Sequence, residues 1–215
     1  MRAVKSLLTA TLCAGALAAS AAGNTMAQQL LTIAHQWAHI NYQLPDKAKE
    51  AAFTKLEAQA EALAERYPRR AEPKVWEAIV ISTHAGVHGG FGALSMVRHA
   101  RDLLLAARKI DPSTLHGAIY TSLGSLYYQV PGWPLSFGDD DKAKAYLKKA
   151  LALNPDGIDP NYFYGDYLHR QGRDQEALAA LSKALRAPPR PQRSLADSGR
   201  RREIRALIRE IRGNS

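Results

Sequence analysis

The chain has 215 residues, of which 46% are hydrophobic and 23% are charged, a balance typical of one folded globular domain rather than a disordered or fibrous chain. Its formal net charge is +9, but nine arginines lie within residues 186–212, so the basic character is local and does not predict a nucleic-acid surface. The single cysteine, Cys13, lies in an apolar N-terminal stretch, which excludes disulfides and thiol chemistry from the rest of the chain.

The N-terminal residues have the pattern of a secretory signal peptide. Arg2 and Lys5 precede an apolar run that ends in small residues, as signal peptidase requires. We therefore expect residues 1–27 to be a signal peptide cleaved after Ala27, with cleavage after Ala21 or Ala22 as alternatives, and a periplasmic or secreted product. A retained membrane anchor and lipid attachment at Cys13 are the competing interpretations.

An internal repeat organises residues 28–190. Three segments carry Ala, Leu, Ala and Pro at identical spacings of 4, 3 and 5 residues. Such residues share one face of a helix that the proline then ends, and the small alanines allow a partner helix to approach closely. The segments are Ala100, Leu104, Ala107 and Pro112; Ala143, Leu147, Ala150 and Pro155; and Ala177, Leu181, Ala184 and Pro189.

Each segment is predicted to be the second helix of an antiparallel hairpin. The first helices carry an aromatic or polar residue, a leucine or tyrosine, a glycine at the expected helix contact, and a further large residue. They are Tyr120, Leu123, Gly124 and Tyr127, and Asn161, Tyr164, Gly165 and Leu168. Pro155 and Pro189 are 34 residues apart, and in period and residue order this pattern resembles the tetratricopeptide repeat.

The remaining segments extend this pattern in both directions. Trp76 to Thr83 is a weaker first helix, and residues 29–68 form a degenerate N-terminal pair. At the other end, residues 191–215 are a basic segment with one apolar helical stripe, as expected of a helix that caps a solenoid, formed by Ile204, Leu207, Ile208 and Ile211. We therefore predict an all-α tetratricopeptide-like α-solenoid with a C-terminal capping helix. The arginines leave open a second role for that helix as an electrostatic arm for anionic lipid or nucleic acid.

Two hairpins carry additional residues between their helices. Gly124 and Ala143 are 19 residues apart, whereas Gly165 and Ala177 are 12 apart, so the segment PGWPLSFG accommodates an insertion of seven residues. The preceding hairpin is also extended, by the glycine-rich HAGVHGGFG, and both segments are predicted to be long loops at one edge of the solenoid, which we call the rim.

The rim contains the candidate binding residues. Phe91, Trp133 and Phe137 are the candidates from the loops, and Tyr127 and Tyr164 are candidates from the neighbouring first helices. Trp133 has an alternative interpretation as a lid packed over the ends of the helices. The adjacent Asp139 to Asp141 are predicted to cap a helix rather than bind a cation, because the spaced oxygen ligands of a calcium loop are missing.

The sequence contains no recognised catalytic motif. His35 and His39, and His84 and His88, have the i, i+4 spacing of zinc ligands on a helix, but the glutamate of a metalloprotease motif is missing. No nucleophile elbow, P-loop or dinucleotide motif is present. We expect a protein that is not an enzyme and that uses neither metal nor cofactor.

The signal-like N-terminus, the segment YTSLGSLYYQVPGWPLSFGDDDKA and the segment NPDGIDPNYFYGDYL together resemble the T component associated with tripartite ATP-independent (TRAP) transporters. The resemblance implies a non-enzymatic periplasmic repeat protein that binds a substrate-binding protein, is compatible with a homo-oligomer, and works close to the inner membrane. The alternative function is a soluble protein that binds a small hydrophobic ligand at the rim.

Overall fold

The computed structural model describes residues 25–213. This part of the chain forms nine α-helices and one short 3-10 helix, Pro191–Arg193. The α-helices are α1 Met26–Gln43, α2 Asp46–Arg66, α3 Ala71–His88, α4 Gly90–Ile110, α5 Thr114–Gln129, α6 Asp140–Leu153, α7 Ile158–Arg170, α8 Asp174–Leu185 and α9 Ser194–Gly213. None of these helices is both long and apolar enough to cross a membrane.

The first eight helices pair as four antiparallel hairpins, which confirms the predicted all-α solenoid. Every alanine and leucine of the repeated pattern is fully buried, at positions 100, 104, 107, 143, 147, 150, 177, 181 and 184. These residues form the face that each second helix turns towards its first helix. Burial of this single face explains why the same residue types recur at the same spacing.

Glycine allows the two helices of a hairpin to touch in the last two repeats. A Cβ atom at Gly124 would lie 2.6 Å from Leu147, and one at Gly165 would lie 2.8 Å from Leu181. Both distances are shorter than carbon atoms tolerate without a shift of the helices. The prediction that these glycines mark the closest helix contact is therefore confirmed.

The predicted long loop at residues 84–92 is wrong. The additional residues instead lengthen the two helices, so that α3 continues to His88 and α4 begins at Gly90. Gly89 and Gly90 have φ values of 66° and 62°, a left-handed conformation that glycine adopts without a steric penalty. Two adjacent glycines thus reverse the chain within a single turn.

The second insertion is a true loop, formed by residues 130–139 between α5 and α6. At its end the Asp139 carboxylate accepts a hydrogen bond from the Lys142 backbone N–H at 2.9 Å. Asp140 and Asp141 lie in the first turn of α6, where negative charge opposes the positive end of the helix dipole. The aspartates therefore cap α6, as predicted.

The last helix closes the solenoid. Ile204 and Ile211 are fully buried against the last repeat, as expected of a capping helix. The start of α9 also contacts the N-terminal helices, because Ala196 and Leu195 pack into the separate core cluster that those helices form. Helices α1, α3, α5, α7 and α9 each contact the next one in this order, and α9 also contacts α1.

Most of the predicted signal peptide lies outside the described residues. Of residues 1–27, the structure describes only Thr25 and the first two residues of α1. Thr25 is the N-cap of this helix and forms a capping box with Gln28.

Candidate interaction surface

The rim lies at the edge of the solenoid where α3 and α5 end and α4 and α6 begin. Loop 130–139 is tied to the neighbouring hairpin, because the Arg98 guanidinium of α4 donates a hydrogen bond to the Leu135 carbonyl at 2.7 Å. This hydrogen bond joins the loop to α4 of the adjacent extended hairpin, which itself contributes no loop. That the two form one binding surface stays a prediction.

Backbone hydrogen bonds hold loop 130–139 in one conformation. The Gly138 N–H donates to the Pro131 carbonyl at 2.9 Å, and the Leu135 N–H donates to the Gly132 carbonyl at 3.1 Å. The Asp139 N–H donates to the Tyr127 carbonyl of α5 at 2.8 Å, which anchors the end of the loop. The side chains of the loop are thus presented from a scaffold that is already ordered.

Two aromatic side chains of the rim are almost completely exposed. Trp133 is 90% exposed and Phe91 is 87% exposed. Leu135 and Val87 add further apolar surface at the same edge, with exposures of 58% and 36%. The interpretation of Trp133 as a packed lid is therefore wrong, because an indole on top of helix ends would be largely buried.

Phe137 and Tyr127 support the rim from below instead of forming its surface. Their rings meet edge to face with centroids 5.3 Å apart, and the Arg101 guanidinium lies 4.6 Å from the centre of the Phe137 ring. Tyr127 is only 8% exposed, and this burial raises the pKa of its phenol. Both residues lie at the predicted site, but a partner at the rim would mainly contact Trp133 and Phe91.

Tyr164 lies at a different place. It lines an open groove of about 390 Å³ between α7 and α8, together with Asn161, Leu168 and Lys183. A second open groove of about 460 Å³ lies between α1 and α2 and is lined by His35, His39 and Lys55. The five predicted site residues therefore do not form one site.

Sequence reasoning missed Leu135 and Arg98. Leu135 is the one aliphatic residue of the segment PGWPLSFG, and its position two residues after Trp133 was a usable signal. Arg98 carried no such signal, because its contact with the Leu135 carbonyl joins residues on two different hairpins.

The two histidines of α3 form hydrogen bonds with carboxylates that are distant from them in the sequence. The His84 Nδ1–H donates to Glu57 at 2.6 Å, and the His88 Nδ1–H donates to Glu50 at 2.8 Å. Both glutamates belong to α2, so the histidines join two helices of neighbouring hairpins. Within residues 25–213, no group of three or more His, Cys, Asp and Glu side chains is arranged to hold a metal ion.

A partly buried cluster of charged groups fixes α9 to α7. Arg190 donates to Asp159 at 2.9 Å and to Asp197, while Arg200 donates to Asp159 at 3.1 Å. Burial raises the pKa of Asp159, but the guanidinium groups of Arg200 and Arg190 outweigh it and hold that pKa well below its usual range. The carboxylate is thus ionised wherever the protein is folded near neutral pH.

Comparison with known proteins connects this fold to a family. Residues 135–196 match the tetratricopeptide repeat family. The matched residues begin in loop 130–139, cover α6, α7 and α8, and end within α9. The tetratricopeptide-like pattern predicted for the last repeats is therefore confirmed.

A search of solved structures and one of curated proteins complete the comparison. The fold is similar to TTC0263, a thermophilic tetratricopeptide protein of Thermus thermophilus, with 17% identity and a TM-score of 0.46 over 87% of this chain and 98% of that chain. The search of curated proteins gave no match.

Proposed function

We propose that the protein is a non-enzymatic scaffold that binds another protein through the rim. The observation that carries this proposal is the 90% exposure of Trp133 on a loop closed by its own hydrogen bonds. Tetratricopeptide repeats generally mediate contacts between proteins. The rim contains additional residues between paired helices, whereas the last repeat has only a short turn between α7 and α8.

An exposed indole on an ordered loop favours binding to a partner. A tryptophan that is almost completely exposed on the described part of the chain leaves a large apolar area in water, and such patches mark interaction sites. Because the loop is already ordered, binding would not require the entropy loss of fixing it. Tryptophan is also among the residues that most often dominate the binding free energy of an interface.

We further propose that the protein acts after export, as an accessory component of a TRAP-type transport system whose periplasmic substrate-binding protein docks at the rim. Support comes from the signal-like N-terminus and from the likeness of the Trp133 loop and the aromatic α7 to the T component of such systems. A rim that presents side chains outward from a surface suits a protein partner better than a small ligand.

Affinity capture from an envelope extract tests the proposal. Wild type is compared with Trp133→Ala, Phe91→Ala and the control Ile110→Ala, which removes an apolar side chain 42% exposed at the opposite edge of the solenoid. We expect wild type and Ile110→Ala to retain the same protein, and both rim variants to lose most of it, because an aromatic anchor contributes about 2 kcal/mol.

Identification of the retained protein decides the finer proposal. A transport-associated substrate-binding protein would support it, and a partner of another class would restrict the conclusion to a general scaffold. If the rim variants capture as well as wild type, the rim is not the docking surface. Retention of a small hydrophobic molecule without any protein would favour the alternative function.

A further inference from the structure

The exposed face of α9 carries a straight row of arginines. Arg202, Arg205, Arg209 and Arg212 are all exposed, and their spacing of three, four and three residues places them along one side of the helix. At a rise of about 1.5 Å per residue the row is about 15 Å long. The opposite side of the same helix holds the buried Ile204 and Ile211, which fix it to the last repeat.

The acidic residues of α9 do not neutralise this row. Asp197 is used by Arg190, and Glu203 accepts a hydrogen bond from Arg200 at 2.6 Å. Glu210 lies 4.0 Å from His169 of α7. Among residues 25–213, Arg205, Arg209 and Arg212 form no ion pair, so their charges face solvent.

Stabilisation of the helix does not explain the whole row. A cation near the last turn interacts favourably with the negative end of the helix dipole, which accounts for Arg209 and Arg212. This effect falls off within one turn, whereas Arg202 and Arg205 lie two turns or more before the end of α9 at Gly213. The helix dipole therefore accounts only for the C-terminal half of the row.

The shape of the row favours a flat anionic surface. The helix is held rigidly, so the guanidinium groups lie along a line instead of surrounding a concave pocket. Arginine binds phosphate groups through two parallel hydrogen bonds, and clusters of basic residues on an amphipathic helix bind anionic lipid. Proteins that bind single-stranded nucleic acid interleave aromatic side chains for base stacking, and on this face of the described chain only Tyr42 approaches the row, beside Arg202.

We propose that the exposed face of α9 binds the surface of membranes that contain anionic phospholipids. The contact is peripheral and electrostatic, and it leaves the rim free for a protein partner. The scaffold would then hold that partner close to a membrane without any segment that crosses it.

Vesicle co-sedimentation tests this proposal with the chain that begins at Gly23, so that the apolar N-terminal stretch cannot insert. The vesicles are phosphatidylcholine alone or phosphatidylcholine mixed with phosphatidylglycerol. Wild type is compared with the combined variant Arg205→Gln, Arg209→Gln and Arg212→Gln. The control combines Lys109→Gln, Lys148→Gln and Lys149→Gln, which removes the same charge from exposed positions of α4 and α6, helices that do not pack against α9 among the described residues.

We expect wild type to bind only the vesicles with phosphatidylglycerol and to be released by salt. The arginine variant should bind at least about tenfold more weakly, because each basic residue near an anionic surface contributes about fivefold. The lysine control should stay within about twofold of wild type, since distant charges are screened. A variant with lysine at all three arginine positions should retain binding, which separates lost charge from lost folding.

Three results would overturn the proposal. The first is absence of wild-type binding to phosphatidylglycerol vesicles. The second is an equal loss in the arginine variant and the lysine control, which would indicate a response to total charge alone. The third is tighter binding of wild type to short duplex DNA than to the vesicles, which would make the row a nucleic-acid surface.

Discussion

Gly199 of α9 lies directly against the ring of Tyr42 in α1, so closely that a Cβ atom at residue 199 would overlap three carbons of that ring. The ring cannot move aside easily, because it meets Trp37 edge to face at 5.7 Å and its hydroxyl donates to Glu203 at 3.2 Å. Helices α1 and α9 therefore approach each other closely at Gly199, where α9 has no side chain.

Replacement of Gly199 by alanine should destabilise the protein by about 1–3 kcal/mol, because overpacking of this crossing outweighs the better helix propensity of alanine. Gly86→Ala is the matched control, since Gly86 also lies in a helix and a Cβ there would meet nothing within 4 Å. The control should be neutral or more stable by up to about 1 kcal/mol. Urea unfolding measures both, and equal stability of the two variants would contradict the close crossing.

Asp159→Asn should lower the free energy of unfolding at neutral pH by about 1–3 kcal/mol, because Arg190 and Arg200 lose a charged hydrogen-bond acceptor. Asp156→Asn is the control, since its carboxylate is 75% exposed and forms a surface ion pair with Lys183 at 3.3 Å. Exposed pairs contribute little, so this control should remain within about 0.5 kcal/mol of wild type. Chemical denaturation at neutral pH compares the two variants.

The same carboxylate predicts a pH dependence. Its pKa is lower in the folded protein than the value of about 3.9 expected in the unfolded chain. Its stabilising contribution is therefore complete above the unfolded pKa and is lost as the pH falls towards the folded pKa. Between about pH 5 and pH 2 the stability of Asp159→Asn should fall less steeply than that of wild type. Parallel curves would show that Asp159 is not linked to folding.

Trp133→Ala should leave the free energy of unfolding within about 0.5 kcal/mol of wild type, because exposed side chains contribute little to stability. Phe137→Ala, four residues further along the same loop, should cost about 1–3 kcal/mol, since its partly buried ring packs on Tyr127 and under Arg101. Thermal unfolding distinguishes the two. A large loss of stability in Trp133→Ala would restore the lid interpretation.

The N-cap of α1 leads to a prediction about processing. The Thr25 hydroxyl accepts from the Gln28 N–H at 3.3 Å, and the Thr25 N–H donates to the Gln28 side chain at 2.8 Å. A chain that begins at Gln28 loses this cap and places a charged amino group at the positive end of the helix dipole. It should be about 0.5–2 kcal/mol less stable than a chain that begins at Gly23.

Thermal unfolding of these two purified chains measures the difference in stability. Thr25→Ala in the longer chain is the control, since it removes the hydroxyl that caps the helix. Cleavage after Ala22, one of the alternatives that the sequence leaves open, would preserve the cap. Equal stability of all three proteins would remove this reason to prefer it.

The hairpins could be predicted from the sequence because their packing is local and periodic. The buried alanines and leucines repeat at a fixed spacing, and each second helix follows its first helix directly along the chain. Gly165 and Leu181, which touch in the structure, are only 16 residues apart.

The closure by α9 could not be predicted in the same way. It depends on contacts such as that of Tyr42 with Glu203, which are separated by 161 positions in the chain and follow no repeat. The glycine-rich segment 84–92 was predicted to be a loop because its hairpin is longer than the last repeat, and additional residues in a repeat usually form loops. Only the positive φ values of Gly89 and Gly90 show that the reversal takes place within a single turn. Trp133 was recognised as a candidate, but its exposure depends on the backbone hydrogen bonds that fix the conformation of the loop.

The most direct test of the scaffold proposal is site-specific photo-crosslinking in envelope extract. A photoreactive benzoylphenylalanine replaces Trp133, Phe91 or the control Ile110, one at a time, in the otherwise unchanged chain. We predict that positions 133 and 91 crosslink to the same protein and that position 110 does not, because the first two share the rim and the third lies at the opposite edge. Crosslinks to unrelated proteins, or equal yields at all three positions, would contradict a protein-binding rim.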